Sequence, residues 1–379
     1  MIHDVIVIGS GSVGTPTAMF LAEKGIKTLV IDSCSSSGQG NNKCAIGGIR
    51  ATHSDPAKVA LSLCSLSTFS SWEEIHGDSI GWHRGGYTFV AFDEPIAESL
   101  QEMIPSQQKA GLNIRWCNPE EIMEIVPGIN SRGLLGGTFS PEDGSASPME
   151  SSYAFYRRAV RLGAVFHFGE TVASIKKNGC FTVTTDKGRY SALNVINCAG
   201  SFGRDVGAMA GVDLPVYPDM HEAGITEPVE RFFNPMVVDV SRTAGSANYY
   251  FYQYKTGQVV FCITPDPPLV GRGTEETSVF LPQVAGRMVK LYPRLANIKV
   301  RRTWRGCYPQ TPDGSPVIGR VGPEGYFAAV GMCGQGFMLG PGTGELLARL
   351  IAGESTSEDR MVLDAMRPER KFSGNEALK

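Results

Sequence analysis

The residue pattern of this 379-residue chain predicts an α/β protein of two domains. One is built on a parallel sheet wound with helices, the other on an antiparallel sheet inserted into it. Three features carry that expectation. A strand–helix–strand unit with a glycine-rich turn opens the chain. A second buried strand that stops at small residues, Leu193-Asn194-Val195-Ile196-Asn197-Cys198-Ala199-Gly200, lies far downstream. Around these, long stretches alternate apolar and polar residues with the period of half-buried strands.

The opening unit comes first. Val5-Ile6-Val7-Ile8 leads into Gly9-Ser10-Gly11-Ser12-Val13-Gly14, an apolar helix from Thr15 to Lys24, Gly25, and a second strand, Thr28-Leu29-Val30-Ile31, ending at Asp32. A GxGxxG sextet means little alone in a chain with 45 glycines. In this order it reads as a dinucleotide fingerprint of the Rossmann type. The first glycine permits the tight turn, the second admits a pyrophosphate, and the third lets helix and strand pack closely. The diphosphate then meets the positive end of the helix. Asp32 stands where a carboxylate bonds a ribose hydroxyl.

The polar, glycine-rich stretch from Ser35 to Arg50 follows that carboxylate directly and reads as a loop wrapping the ligand. Residues 56–76 and about 94–110 have helical period, with a strand between them over 81–92. Asn118-Pro119-Glu120-Glu121 starts a helix, with Asn118 as its N-cap. The turn-rich segment 140–148 precedes a helix over about 149–162, two short strands near 165 and 172, and a hairpin across 180–191. From about 216 to 310 the pattern is strand-rich, including Tyr249–Tyr254 and Gln258–Ile263 joined at Thr256-Gly257. Strand Phe327–Val330, a glycine-rich loop from Gly331 to Gly344 and a helix Glu345–Ala352 close the fold. The expected domains are therefore 1–80, 145–215 and 312–366 for the nucleotide, and 81–144 and 216–311 for the substrate. Residues 367–379 read as a mobile, charged tail. NAD dehydrogenases usually keep their nucleotide domain in one stretch, so this interleaving favours a flavin.

Composition narrows the class. A net charge of −3 with 19% charged residues gives no reason to expect a nucleic-acid partner or an anionic membrane surface. No apolar stretch is long enough to span a bilayer. The first strand begins almost at Met1, which leaves no room for a signal peptide, so a cytoplasmic protein is expected. Nine cysteines without CxxC or Cys/His clusters predict neither a disulfide framework nor a metal site.

Four segments together resemble the glycine/D-amino-acid oxidase family of FAD enzymes, which includes sarcosine oxidases and dye-linked proline dehydrogenases. They are the opening fingerprint, Gly47-Gly48-Ile49-Arg50, Asn197-Cys198-Ala199-Gly200, and Thr311–Gly319 leading into Gly334-Gln335-Gly336-Phe337-Met338. Within that family the likeness is strongest to β subunits of the L-proline dehydrogenase, sarcosine oxidase and opine oxidase type. The resemblance implies a Rossmann-like FAD-binding domain. In it Gly9, Ser10, Gly11, Val13 and Gly14 hold the diphosphate, with Ala199 and Gly200 beside it. Asp32 and Ser33 lie at the adenosine ribose and Val172 at the adenine. Asn41, Asn42, Lys43, Gly48 and Ile49 thread past the ribityl chain and flavin. Gly306, Gly331 and the run Gly334, Gln335, Gly336, Phe337, Met338 surround the ring.

Two departures from the family bear on chemistry. The cysteine that links flavin covalently in some members aligns with Gly306, beside Cys307, so noncovalent FAD is expected. The arginine that clamps the substrate carboxylate in glycine and D-amino-acid oxidases falls at Tyr308, and a phenol replaces a bidentate fork poorly. Arg50 is then the first candidate anchor, followed by Arg302, Arg305, His221, Tyr250, Tyr252, Tyr254 and Tyr308. The expected reaction is oxidation of an amino acid or secondary amine of proline, sarcosine or opine type. Hydride passes from the substrate carbon to flavin N5, and the imine formed hydrolyses. The strand Val259–Ile263 lacks the lysine some oxidases place near N5, and Lys255 lies only in the preceding turn. That favours a dehydrogenase passing electrons to a partner subunit or other acceptor. Two alternatives are an FAD-dependent hydroxy-acid or glycerol-3-phosphate dehydrogenase using Arg301, Arg302 and Arg305, and a noncatalytic FAD-binding subunit.

Overall fold

β-Branched side chains suit a pleated surface buried on both faces, and Val5–Ile8 lies at the centre of such a sheet. Alternate residues face opposite ways. Val5 and Val7 enter the core beneath the helices, whereas Ile6 and Ile8 enter a second core on the far side. The computed structural model describes residues 2–373 and 376–378. In it the strand Ile2–Ile8 pairs in parallel with Thr28–Asp32 and with Arg189–Asn197. Val165–Phe168 and Tyr326–Val330 extend the parallel array on either side. Val317–Arg320 closes one edge, and the strands Val172–Asn178 and Cys180–Thr185 run antiparallel off Arg189–Asn197.

A second sheet runs in the order Val300–Gln310, Tyr217–Pro228, Gln258–Asp266, Gly245–Gln253, Met236–Asp239, Tyr87–Ala91, Gly136–Ser140, Arg115–Cys117. It is antiparallel except where Tyr87–Ala91 meets Met236–Asp239. A short ribbon, Gly48–Ile49 against Gly144–Ser145, lies outside both sheets. Strand membership thus alternates along the chain, and the parallel array is completed only near its end. Among the described residues no helix is long and apolar enough to cross a membrane.

Several expectations change. The strand over 81–92 shrinks to Tyr87–Ala91, because Gly81–Gly86 joins the ribbon at Gly144–Ser145 through an isolated bridge from His83 to Ser145 and is not part of the second sheet. The hairpin's return strand and the buried strand at 193–197 are one element, Arg189–Asn197. The strand-rich region contains a helix, Phe280–Leu291, whose buried Phe280, Val284, Arg287, Met288 and Leu291 follow the helical period. The loop expected over Gly336–Gly344 is the first half of the helix Gly336–Ala352. Its glycines serve close packing. A Cβ at Gly340 would collide with the Ser12 carbonyl, one at Gly342 with the Leu61 carbonyl, and one at Gly344 would sit 2.7 Å from the Thr17 nitrogen. Residues four apart share a helix face, so Gly336, Gly340 and Gly344 form a flat stripe against the Gly14–Glu23 helix. A further helix, Ser357–Ala365, was not foreseen.

Of the expected tail, residues 374, 375 and 379 lie outside the described residues, and the described part does not lie free. Arg370 grips Asp313 through two bonds of 2.8 and 3.0 Å, and Glu376 pairs with Lys58 at 2.9 Å with both side chains fully buried. A charged segment seeks water unless a partner waits inside; Lys58 is that partner.

Candidate active site

The cleft of about 460 Å³ runs from the carboxyl ends of the parallel strands to the face of the second sheet. At its first end Gly9 has φ +100°, open to glycine, and a Cβ there would lie 2.5 Å from the Cys198 carbonyl. A Cβ on Gly14 would collide with the Gly9 carbonyl, whereas one on Gly11 would meet nothing within 4 Å. The loop is therefore packed behind and open in front. Gly9, Gly11, Val13, Asp32, Ser33, Val172, Ala199 and Gly200 line the cleft, while Ser10 and Gly14 stand behind it. Asp32 ties the loop down: one oxygen accepts from the Ser10 N–H at 2.6 Å and hydroxyl at 2.7 Å, the other from the Cys34 N–H at 2.7 Å. The first oxygen is thereby saturated, and the second keeps a further lone pair for a ligand. Glu170 also lines this end, missed by sequence reasoning because its segment carried no motif.

At the opposite end Asn41, Asn42, Gly48, Gly306, Gly334, Gln335, Gly336, Phe337 and Met338 line the cleft. Lys43 does not; its side chain is exposed, and Ile49 and Gly331 are packed behind the wall. Cys333 adopts φ +49°, the left-handed region that favours glycine, next to this loop.

Two observations test the fit of an adenine dinucleotide. The helices starting at Pro56, Glu94, Pro119, Pro148 and Ser357 are capped by Asp55, Asp93, Asn118, Ser147 and Thr356. The helices starting at Gly14, Gly203, Phe280 and Gly336 carry no side-chain cap, and those at Gly14 and Gly336 open onto the cleft. Their bare N–H groups suit a diphosphate and an electron-rich ring edge. Gln335, 4% exposed, has both amide atoms without a partner, and the buried Asn42 Oδ1 is likewise unmatched. Buried polar atoms are rarely left so, and a ligand in the cleft would satisfy them. The residues present fit FAD.

Beyond the ring end, the second sheet presents Tyr87, Phe89, Met236, Val238, Tyr250 and Cys262 to the same cleft. Tyr250 and Tyr308 share a hydroxyl–hydroxyl bond of 2.7 Å, and burial raises both phenols above their ordinary values, keeping them protonated. Burial likewise pushes the Cys262 thiol up to about 12. The His221 ring stacks on Tyr308 at 3.7 Å and bonds Asp219 through Nε2 at 2.9 Å, leaving Nδ1 unpartnered. Asp219 was not singled out from sequence, although its spacing of two from His221 puts both on one strand face.

Arg50 lines the cleft with its guanidinium 5.3 Å from the Phe89 ring centre and 6.0 Å from that of Tyr87. Nη1 donates to the Thr52 carbonyl and Nη2 to that of Leu378. Asp143 underpins the loop after Arg50, accepting from the Ala51 N–H at 3.0 Å and the Thr52 hydroxyl at 3.2 Å. Burial raises its carboxyl to about 7 against the pull of those bonds. The other candidate anchors fall away. Tyr252 is behind the wall, donating to the Ile46 carbonyl at 2.5 Å, and Tyr254 is also outside the lining. Arg302 is exposed, and Arg305 donates to the Glu275 carbonyl at 2.9 Å; neither lines the cleft.

A parallel nucleotide-binding sheet whose cleft opens through two uncapped helices onto an antiparallel wall defines a flavin-dependent oxidoreductase. The chain belongs to the FAD dependent oxidoreductase family (DAO), whose profile matches residues 4–350. It is 27% identical to a glycine oxidase from Bacillus licheniformis, over 97% of this chain and 98% of that protein. It is 24% identical to the mitochondrial dimethylglycine dehydrogenase of Homo sapiens over 96% of this chain, and spans 44% of that longer protein. Among solved structures, L-proline dehydrogenase from P. horikoshii superposes with a TM-score of 0.90 at 30% identity, covering 97% of each chain.

Proposed function

We propose that the enzyme oxidises the C–N bond of a small amino acid or secondary amine of proline or sarcosine type. The observation that carries this reading is one cation together with a pair of hydroxyls at the second-sheet end of the cleft, which His221 and Glu222 also line. Arg50 is the only lysine or arginine lining the cleft among the described residues, and the Tyr250–Tyr308 hydroxyl pair lines it too. One cation with two hydroxyls suits one carboxylate, which favours a monocarboxylic substrate over a dicarboxylic opine. The names of the relatives, which point to glycine, dimethylglycine and L-proline, support an amino-acid substrate.

FAD, when bound, supplies the two-electron acceptor for this oxidation, and the imine formed is hydrolysed by water. The protein's part is placement. Arg50 and the two hydroxyls hold the carboxylate, while Phe89, Met236 and Val238 exclude water around the reacting carbon. His221, bonded to Asp219 and stacked on Tyr308, holds that ring in place. Gly9, Gly11, Val13, Asp32, Ala199 and Gly200 hold the adenosine diphosphate half, and Gly48 with Gly334–Met338 the ring. A Cβ at Gly306 would lie 2.6 Å from the Cys44 Cβ, so no side chain fits there, which supports noncovalent FAD. The phosphate reading loses support because Arg301 and Arg302 are exposed away from the cleft.

Lys255 is exposed and no lysine lines the cleft among the described residues, which supports a dehydrogenase handing electrons to a partner subunit or carrier rather than to oxygen. Anaerobic addition of L-proline, sarcosine, glycine and an opine to the holoenzyme tests the substrate. Proline or sarcosine is expected to bleach the flavin spectrum. Bleaching by none, or by the opine alone, overturns the reading.

A further inference from the structure

We infer that residues 376–378 belong to the substrate site, as a brace that sets Arg50 from behind. Leu378 is 2% exposed and packs in one cluster with Tyr87, Phe89 and Met236, which line the cleft beyond the ring end, and with Tyr252 behind them. Its carbonyl accepts from Arg50 Nη2. Two residues earlier, Glu376 fixes where that carbonyl stands. One oxygen pairs with Lys58 at 2.9 Å, and the other accepts from the Ser54 N–H at 2.9 Å and hydroxyl at 2.8 Å. Lys58 also donates to the Gly314 carbonyl at 3.1 Å. Burial alone would raise the Glu376 carboxyl; Lys58 and the Ser54 N–H outweigh it and hold it well below the carboxylate range. A buried ion pair is costly to leave half-made, so Glu376 anchors the segment firmly.

The consequence reaches Arg50. Nη1 is taken by the Thr52 carbonyl and lies 3.2 Å from His53 Nδ1, and Nη2 gives one hydrogen to the Leu378 carbonyl. Nε–H and a second Nη2 hydrogen take no part in these contacts, and a carboxylate accepts from such donors. A long, rotamer-rich side chain is thereby ordered before substrate arrives, and ordering in advance strengthens binding. Glu376 and Leu378 are thus positioning residues for Arg50. The inference rests on Arg50 as the carboxylate anchor proposed above.

A double-mutant cycle on the holoenzyme tests it. The Kd of pyrrole-2-carboxylate, an amino-acid analogue that cannot be oxidised in the same way, is read from perturbation of the flavin spectrum. Four proteins are compared: full chain, chain ending at Ser373, Arg50→Gln, and both changes together. Shortening is expected to weaken binding by about tenfold when Arg50 is present and by less than about twofold in Arg50→Gln, the signature of coupled residues. Glu376→Gln in the full chain is expected to shift Kd in the same direction and gives the result if the shortened chain fails to fold. Equal losses in both backgrounds, no loss in either, or no binding to the full chain overturns the brace. If no amine bleaches the flavin but the coupling is found, the substrate reading fails and the brace stands. Amine oxidation without coupling defeats the brace alone.

Discussion

Tyr308 is held on three sides. His221 stacks on the ring, Tyr250 bonds its hydroxyl, and Gly334 lies against its face, where a Cβ would overlap the ring. Tyr308→Phe removes one hydroxyl from the recess and leaves Tyr250 unmatched. A hydrogen bond to a charged group contributes about 1.5–3 kcal/mol, so kcat/KM is expected to fall roughly ten- to hundredfold. Steady-state kinetics on the amine that bleaches the flavin measures it, and a change under twofold would remove Tyr308 from the substrate site. Gly14→Ala acts at the other end of the cleft. Its Cβ has no room beside the Gly9 carbonyl, so the loop must move, and the purified protein is expected to lose its visible flavin absorbance while staying folded by far-UV circular dichroism.

At the scale of elements, legibility followed how local each signal was. The opening strand–helix–strand unit could be read because its turn and caps lie within a few residues of each other, and the Asn118 cap was read for the same reason. The helix Gly336–Ala352 was half hidden, since glycine and Pro341 disfavour helix by propensity and only tertiary packing reveals why they are there. The Phe280–Leu291 helix had a readable period that the surrounding strands masked. For the site, the dinucleotide end was legible from its glycines, whereas Asp219, Glu376 and Leu378 act through contacts with residues distant in sequence or carry no motif. Gly340→Ala tests the stripe: overpacking against Ser12 is expected to destabilise by about 1–3 kcal/mol. Thermal unfolding checks it, and unchanged stability would mean the two helices separate freely. The loop after Arg50 has its own pH signature. The Asp143 carboxyl titrates at about 7 in the fold and near 4 when unfolded. Between these values the folded chain holds a proton the unfolded chain has lost, so this contribution to stability declines as pH rises from about 4 to about 7. Asp143→Asn is expected to flatten that slope in melting temperatures taken across the range.

For the whole molecule, one half of the cleft stands on the parallel sheet and the other on the antiparallel one. Parallel assays with oxygen and with an artificial dye on the same substrate are expected to show dye reduction exceeding peroxide release by at least about tenfold. Rapid peroxide release would make the enzyme an oxidase despite the missing lysine.

The seam between Ser12 and the helix Gly336–Ala352 also bears on how the enzyme is made. The turn after the strand Ile2–Ile8 is finished by a helix that lies far from it in sequence. A nascent chain that has folded only its opening unit owns half a cradle, with one bare helix end and no second. Cofactor capture therefore needs both segments in place, and retained flavin reports that this distant contact has formed.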